Sequence, residues 1–228
     1  PFRKRCQEEN VFVTVHHHWS YIPIKELIRN TENELNLGNP VGIRLLGGAI
    51  CLSTNGTHFF DLACELLDSE PDFITSDLEI DYINPRDKTL TIIGGMASYK
   101  MNNNSFIHVS FSNSNSESMR TEIVYRHAVI ELNQSGKLKC YKRSDYDLEK
   151  FNGLITRHGQ MNFVKEINFK NYPTVNNVLD NLFDGVKPIV NLKKAEVPVL
   201  MVLGAIQSHL EEKRISFKNI KDKGIRIS

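Results

Sequence analysis

The 228-residue sequence predicts an α+β fold: one large, mainly antiparallel open sheet with helices packed on one face. Three observations predict it. Strand-like segments follow one another between Phe73 and Arg143, separated by loops rich in Asn, Ser and Gly. An amphipathic helical stretch, Ser53–Leu67, comes before them, and a second apolar helical stretch follows Asn191.

In chain order, Arg3–Glu9 reads as a charged half-helix. Val11–Val15 reads as a β-branched strand that ends in His16-His17-His18-Trp19. On a strand His16 and His18 would share a side, and these rings are expected to line a cleft. Pro23 opens a helix over Ile24–Arg29, a polar stretch runs to Gly38, and Val41–Leu46 is a strand that reaches the Gly47-Gly48 turn.

The Ser53–Leu67 stretch then presents Phe59, Leu62, Ala63 and Leu66 at i, i+3, i+4 and i+7, one apolar stripe. Ser53 or Thr54 fits its N-cap. Thr54 and His58 stand one turn apart on a shared flank, with Asp61 and Glu65 continuing it. Imidazole exchanges protons near neutral pH, so His58 suits acid–base work, although on pattern alone a histidine on such a flank is more often a surface or packing residue.

Strands follow at Phe73–Ile83, Thr89–Ile93, Ser105–Ser112, Arg120–Tyr125, Ala128–Leu132 and Leu138–Arg143. Phe106, His108 and Ser110 fall on one side of their strand and Ile107, Val109 and Phe111 on the other, which reads as an apolar outer face for self-association. Asp145–Ile167 carries no clear pattern, although Arg157 and His158 there could reach a ligand. Val175–Phe183 is a short helix ended by Asp184-Gly185. Asn191 caps the last long helix, with a kink or later start at Pro198. Ile215–Phe217 is a closing strand, and Lys213–Arg226 reads as a solvated tail.

Composition narrows the function classes. The 28 basic and 27 acidic residues balance, with no long basic run, so nucleic acid is not an expected partner. The most apolar run, Val197–Ile206, is far shorter than the roughly 18 residues of a membrane span. Cys6, Cys51, Cys64 and Cys140 form no C-x-x-C pair and fit a reducing, cytoplasmic setting.

Three places support a resemblance. Gly47-Gly48-Ala49 followed by Asn55-Gly56-Thr57-His58-Phe59-Phe60-Asp61-Leu62 is similar to a Gly-Gly, small-residue, G-x-H-x-x-D signature. Val11–Pro23 is similar to a strand after a Lys-Pro motif. Asp184-Gly185-x-x-Pro188, Ala205-x-x-Ser208 and Arg214-Ile215 are similar to a closing helix and edge strand. Together they resemble the C-terminal domain of the glucose–fructose oxidoreductase / inositol dehydrogenase family of NAD(P)-dependent oxidoreductases.

The resemblance implies a substrate domain acting on a secondary alcohol of a sugar, inositol or nucleotide sugar. It makes His58 the catalytic or substrate-orienting imidazole. Thr54 stands where many members carry an Asp, and Asn55 follows it. With Trp19 and His18, Asn55 completes the expected substrate contacts, while Asp61 is expected to act as a structural partner within the helix. His17-His18 replaces the family's frequent Arg pair.

NAD or NADP would belong to the intact protein. No G-x-G-x-x-G occurs here and the family's Lys would precede Pro1, so this chain is expected to be part of something longer. In that reading residues 1–22 end a cofactor-binding domain and residues 23–228 form the substrate and oligomerisation domain. The alternative is a non-catalytic ligand-binding or oligomerising relative. A third reading is a metal site built from His16, His18 and His58.

Overall fold

A computed structural model describes residues 2–11, 13–83, 87–89, 91–114, 116–133, 135–150, 161–169, 174–186 and 190–223. Its centre is a nine-stranded open sheet in the order β8-β7-β6-β5-β1-β4-β3-β2-β9. The strands are β1 (Gly42–Gly47), β2 (Pro71–Ile83), β3 (Thr91–Met101), β4 (Phe106–Phe111), β5 (Arg120–Val124), β6 (Ala128–Asn133), β7 (Lys137–Arg143), β8 (Met161–Asn168) and β9 (Ile215–Ser216). β1 and β4 run parallel, and the other pairs are antiparallel. The helices are α1 (Phe2–Glu8), α2 (Ile24–Leu35), α3 (Asn55–Leu67), α4 (Asp145–Lys150), α5 (Thr174–Phe183), α6 (Leu192–Leu210) and α7 (Phe217–Lys223). The predicted α+β class with a mainly antiparallel open sheet is the observed one.

Alternation along the strands makes two unlike faces. Ile43, Leu45, Ala97, Tyr99, Ile107, Val109 and Phe111 are all essentially inaccessible and form the core face. α3 lies over it, with the Phe60 and Tyr99 rings 5.0 Å apart, edge to face. α6 lies beside α3, where Tyr99 Oη donates to Met201 O at 3.3 Å. Each fully buried Leu, Ile or Phe contributes about 1.5–3 kcal/mol. The expectation that Ile107, Val109 and Phe111 form an outer face is therefore reversed. Alternation separates the two sides, and only packing against the helices decides which is inside.

α6 also closes the sheet. β9 pairs only with Phe73 and Ile74 of β2. Beyond it the edge amides of Ser76 and Leu78 donate to Ser208 Oγ and His209 Nδ1, both at 3.1 Å. Side chains thus satisfy a sheet edge that would otherwise invite pairing.

Several expectations are corrected. None of the described residues of Val11–Val15 pairs in the sheet, and Val15 N–H donates to Val190 O. The helix at Ile24 runs on to Leu35 because buried Glu32 accepts from Arg29 at 2.8 Å and from Tyr125 Oη at 2.7 Å. β3 continues through Gly94-Gly95 to Met101. At Gly95 φ is +95° and a Cβ would lie 2.5 Å from Asp77 O, so only glycine fits. The unpatterned stretch contains α4 and β8, whereas Arg157, His158 and Pro188 lie outside the described residues. α6 begins at the Asn191 cap, whose Oδ1 accepts from Lys194 N at 3.0 Å, and passes through Pro198 without a later start. The closing segment turns into α7, which buries Phe217 and Ile220, so this part of the tail is not solvated.

Candidate functional site

The site grows from the meeting of α3 with the segment that precedes α2. That segment makes a single 3-10 turn over His18–Tyr21 and buries Trp19 against Phe59 and Phe169, at ring separations of 6.0 and 6.2 Å. The segment entering this turn has no strand alternation, so its three histidines, His16 and His17 before the turn and His18 in it, fan out. His16 packs on Tyr21 at 5.6 Å, and His18 stacks on Trp19 at 4.2 Å. His17 points inward and is 5% exposed.

His58 rises from the first turn of α3 into this fan. Its ring lies 5.3 Å from His17, nearly perpendicular to it, and 5.7 Å from His18. His58 is half-buried, and its Nδ1 is buried with no hydrogen-bond partner among the described residues. Two positive charges about 5 Å apart repel by roughly 3 kcal/mol at an effective dielectric of about 20, so charging His58 and His18 together is disfavoured.

One turn along α3, Asp61 is 2% exposed. Ser20 Oγ donates to its Oδ2 at 2.6 Å, and its Oδ1 lies 3.4 Å from His17 Nδ1. That nitrogen makes no well-formed hydrogen bond among the described residues. Asp61 also lines a cleft of about 580 Å³ between α3 and α6, together with Glu65, Asn191, Lys194, Val197 and Pro198. Lys194 pairs with Glu65 there.

The residues singled out from sequence divide in two. His58, His18 and Trp19 come together, with Trp19 buried as the wall behind His18. Thr54 and Asn55 are exposed on the approach to His58 and are bonded to each other, Thr54 Oγ1 donating to Asn55 Oδ1 at 3.2 Å. Thr54 holds the N-cap position, but its side chain caps nothing. The Ser53 hydroxyl, the other candidate cap, lies 3.1 Å from Cys51 Sγ. Sequence reading missed His17 as the ring between Asp61 and His58. The i, i+3 spacing of His58 and Asp61 was a usable signal; the inward turn of His17 was not. Among the described residues no group of three His, Cys, Asp or Glu is arranged to hold a metal.

Burial lowers the pKa of His18 to about 4, helped by the neighbouring His58 and His16. Burial also lowers that of His58, reinforced by His17 and His16 and opposed by the Asp61 charge. Burial would raise the Asp61 carboxyl, yet His17 and Ser20 outweigh it and hold the group below its ordinary range. At neutral pH His58 is therefore an uncharged base with a carboxylate close behind it.

No glycine-rich phosphate turn follows a strand in the sequence, and the described parallel pairing is confined to β1 and β4.

The lowered histidines fix a pH dependence. Between the ordinary value of 6.5 and about 4, the unfolded chain binds protons that folded His18 refuses. Stability present at neutral pH is therefore lost as pH falls through that window. The Asp61 contribution is lost only at lower pH, below the ordinary carboxylate range. Urea unfolding from pH about 7 down to about 4 should show a falling midpoint, with a flatter slope in His18→Gln. An unchanged slope in the variant would place the effect elsewhere.

No protein-family model and no curated protein matches this sequence. Solved structures do. A putative NADPH-dependent oxidoreductase from Desulfitobacterium hafniense aligns with a TM-score of 0.71 at 10% identity over 94% of this chain and 67% of that one. The super-repressor mutant of Gal80p from Saccharomyces cerevisiae gives 0.69 at 12% identity, covering 96% and 69%. UDP-N-acetylglucosamine 3-dehydrogenase GnnA from Acidithiobacillus ferrooxidans gives 0.58 at 13% identity, covering 90% and 63%. The chain thus spans about two thirds of the length of these proteins, and the likeness is one of fold: it shares the α+β sheet architecture of oxidoreductase structures of the type its motifs resemble.

Proposed function

We propose that this chain is the substrate-binding part of an NAD(P)-dependent oxidoreductase acting on a secondary alcohol of a sugar, inositol or nucleotide sugar. The observation that carries this reading is His58, a half-buried and uncharged imidazole with an unpartnered nitrogen, on the opening turn of α3. A neutral imidazole can take the proton of an alcohol as its carbon is oxidised and return it in reverse. His18, backed by Trp19, and the exposed Thr54–Asn55 pair flank the space before it and supply hydrogen bonds to hydroxyl groups. Residues 1–22 deliver His17, His18 and Trp19 from a cofactor-binding domain to the α+β domain of residues 23–228. NAD or NADP belongs to the intact protein.

A second reading is a non-catalytic ligand-binding module. Thr54 brings no charge to the position one turn before His58, and one similar structure is a transcriptional regulator, Gal80p from the yeast Kluyveromyces lactis.

Trp19 is the only tryptophan in the sequence and touches His18, so its fluorescence reports on this space. Titration with hexoses, inositols and nucleotide sugars should give a saturable change for one class, weakened about tenfold in His58→Ala, a loss of about 1.4 kcal/mol. NAD and NADP alone should give none. Binding that survives in His58→Ala favours the second reading, and silence across the whole panel removes both.

Self-association through the open sheet face is proposed on new grounds. Phe106, Val124, Val129, Tyr141 and Phe163 stand in one cross-strand row, interrupted only at Gly42. Phe163 is 58% exposed, which leaves an apolar band uncovered in the single chain. Sedimentation at rising concentration should show a dimer or larger species that Phe163→Glu weakens, and a monomer throughout would refute this contact.

A further inference from the structure

We propose that Asp61 is the acidic partner of His58, set behind it across the His17 ring, and that His17, anchored by Asp61, is a positioning residue of the site. The inference rests on the reading of His58 as the substrate-facing imidazole, but its geometry stands apart from any ligand. His58 has no carboxylate one turn before it, and the Thr54 hydroxyl is committed to Asn55. The nearby buried carboxylate is on the other side, three residues later, and faces inward. Ser20 satisfies one of its oxygens, and the other faces His17 Nδ1.

With 7% of its side chain exposed, His17 cannot turn that nitrogen to solvent. Its ring then meets His58 at 5.3 Å. The order carboxylate, imidazole, imidazole is thus assembled from two parts distant in sequence, α3 and the segment entering the 3-10 turn.

The surrounding charges among the described residues come from several elements, including Lys25 of α2, which lines the same cleft as Asp61. From the turn and the residues before it come His18 and His16. α3 adds Glu65, and α6 adds Lys194, which pairs with Glu65 and also acts on Asp61. Trp19, Phe59 and Phe169 close the remaining side without charge. In this setting the Asp61 charge favours a proton on His58 while His17 opposes it. The two neighbours act with opposite sign on one ring.

That opposition provides the test. Ring C–H signals of the full chain, followed by NMR across pH, read the titration midpoint of His58 directly. Asp61→Asn should lower the midpoint, Asp61→Glu should restore it, and His17→Gln should raise it. A merely structural role predicts otherwise, because general loosening hydrates His58 and raises its midpoint in both variants. A midpoint that rises or stays fixed in Asp61→Asn overturns the proposal.

Should the variants not fold, nitrogen shifts of the wild-type ring decide. His17 carries its proton on Nδ1, facing Asp61, if the proposal holds, and on Nε2 alone if it does not. No substrate enters either measurement. A chain that binds no alcohol can still show the coupling, and absent coupling leaves the Trp19 titration standing.

Discussion

A carboxylate with almost no exposed surface is costly unless its charge is answered. Asp61 is in that position, and its partners come from another part of the chain: Ser20 on the 3-10 turn and His17 just before it, with Lys194 of α6 adding its field. The requirement to satisfy this one group ties the entering segment to α3. His17 and His18 are then held against His58, and Trp19 is pressed between Phe59 and Phe169. Loosening Asp61 would release all three contacts together.

The rest of the fold holds α3 still. Its Phe60 packs on Tyr99 of the central sheet, its last turn receives Arg29 Nη2 at Leu66 O at 2.7 Å, and α6 covers its flank. Arg29 also binds Glu32, which accepts from Tyr125 beyond β5, so α2 links the far end of α3 to the sheet. A rigid helix with a polar first turn beside a broad sheet suits a site whose chemistry needs one imidazole in one place.

Much of this was legible in sequence. The i, i+3, i+4, i+7 stripe located α3, and alternation with turn-rich loops located most strands, because both signals arise from burial on one face. The missed features have common causes. Val11–Val15 has strand composition, but its described residues pair with no strand of the sheet. Glycines usually weaken a strand, and only the close approach of Asp77 O explains why Gly95 sits inside β3. β8 is exposed at nearly every position, so little burial pattern marks it. The face of Ile107 was read backwards because alternation does not say which side meets a helix. His17 was overlooked for the same reason: its inward direction comes from a tertiary partner, Asp61, distant in sequence.

The most direct test of the account is a double-mutant cycle between Ser20→Ala and Asp61→Asn, read by urea unfolding. If Asp61 ties the histidine-bearing turn to α3, the two losses are coupled, by about 1 kcal/mol or more, since both break the same buried contact. Strictly additive losses would mean that the turn and the helix are held together by something else.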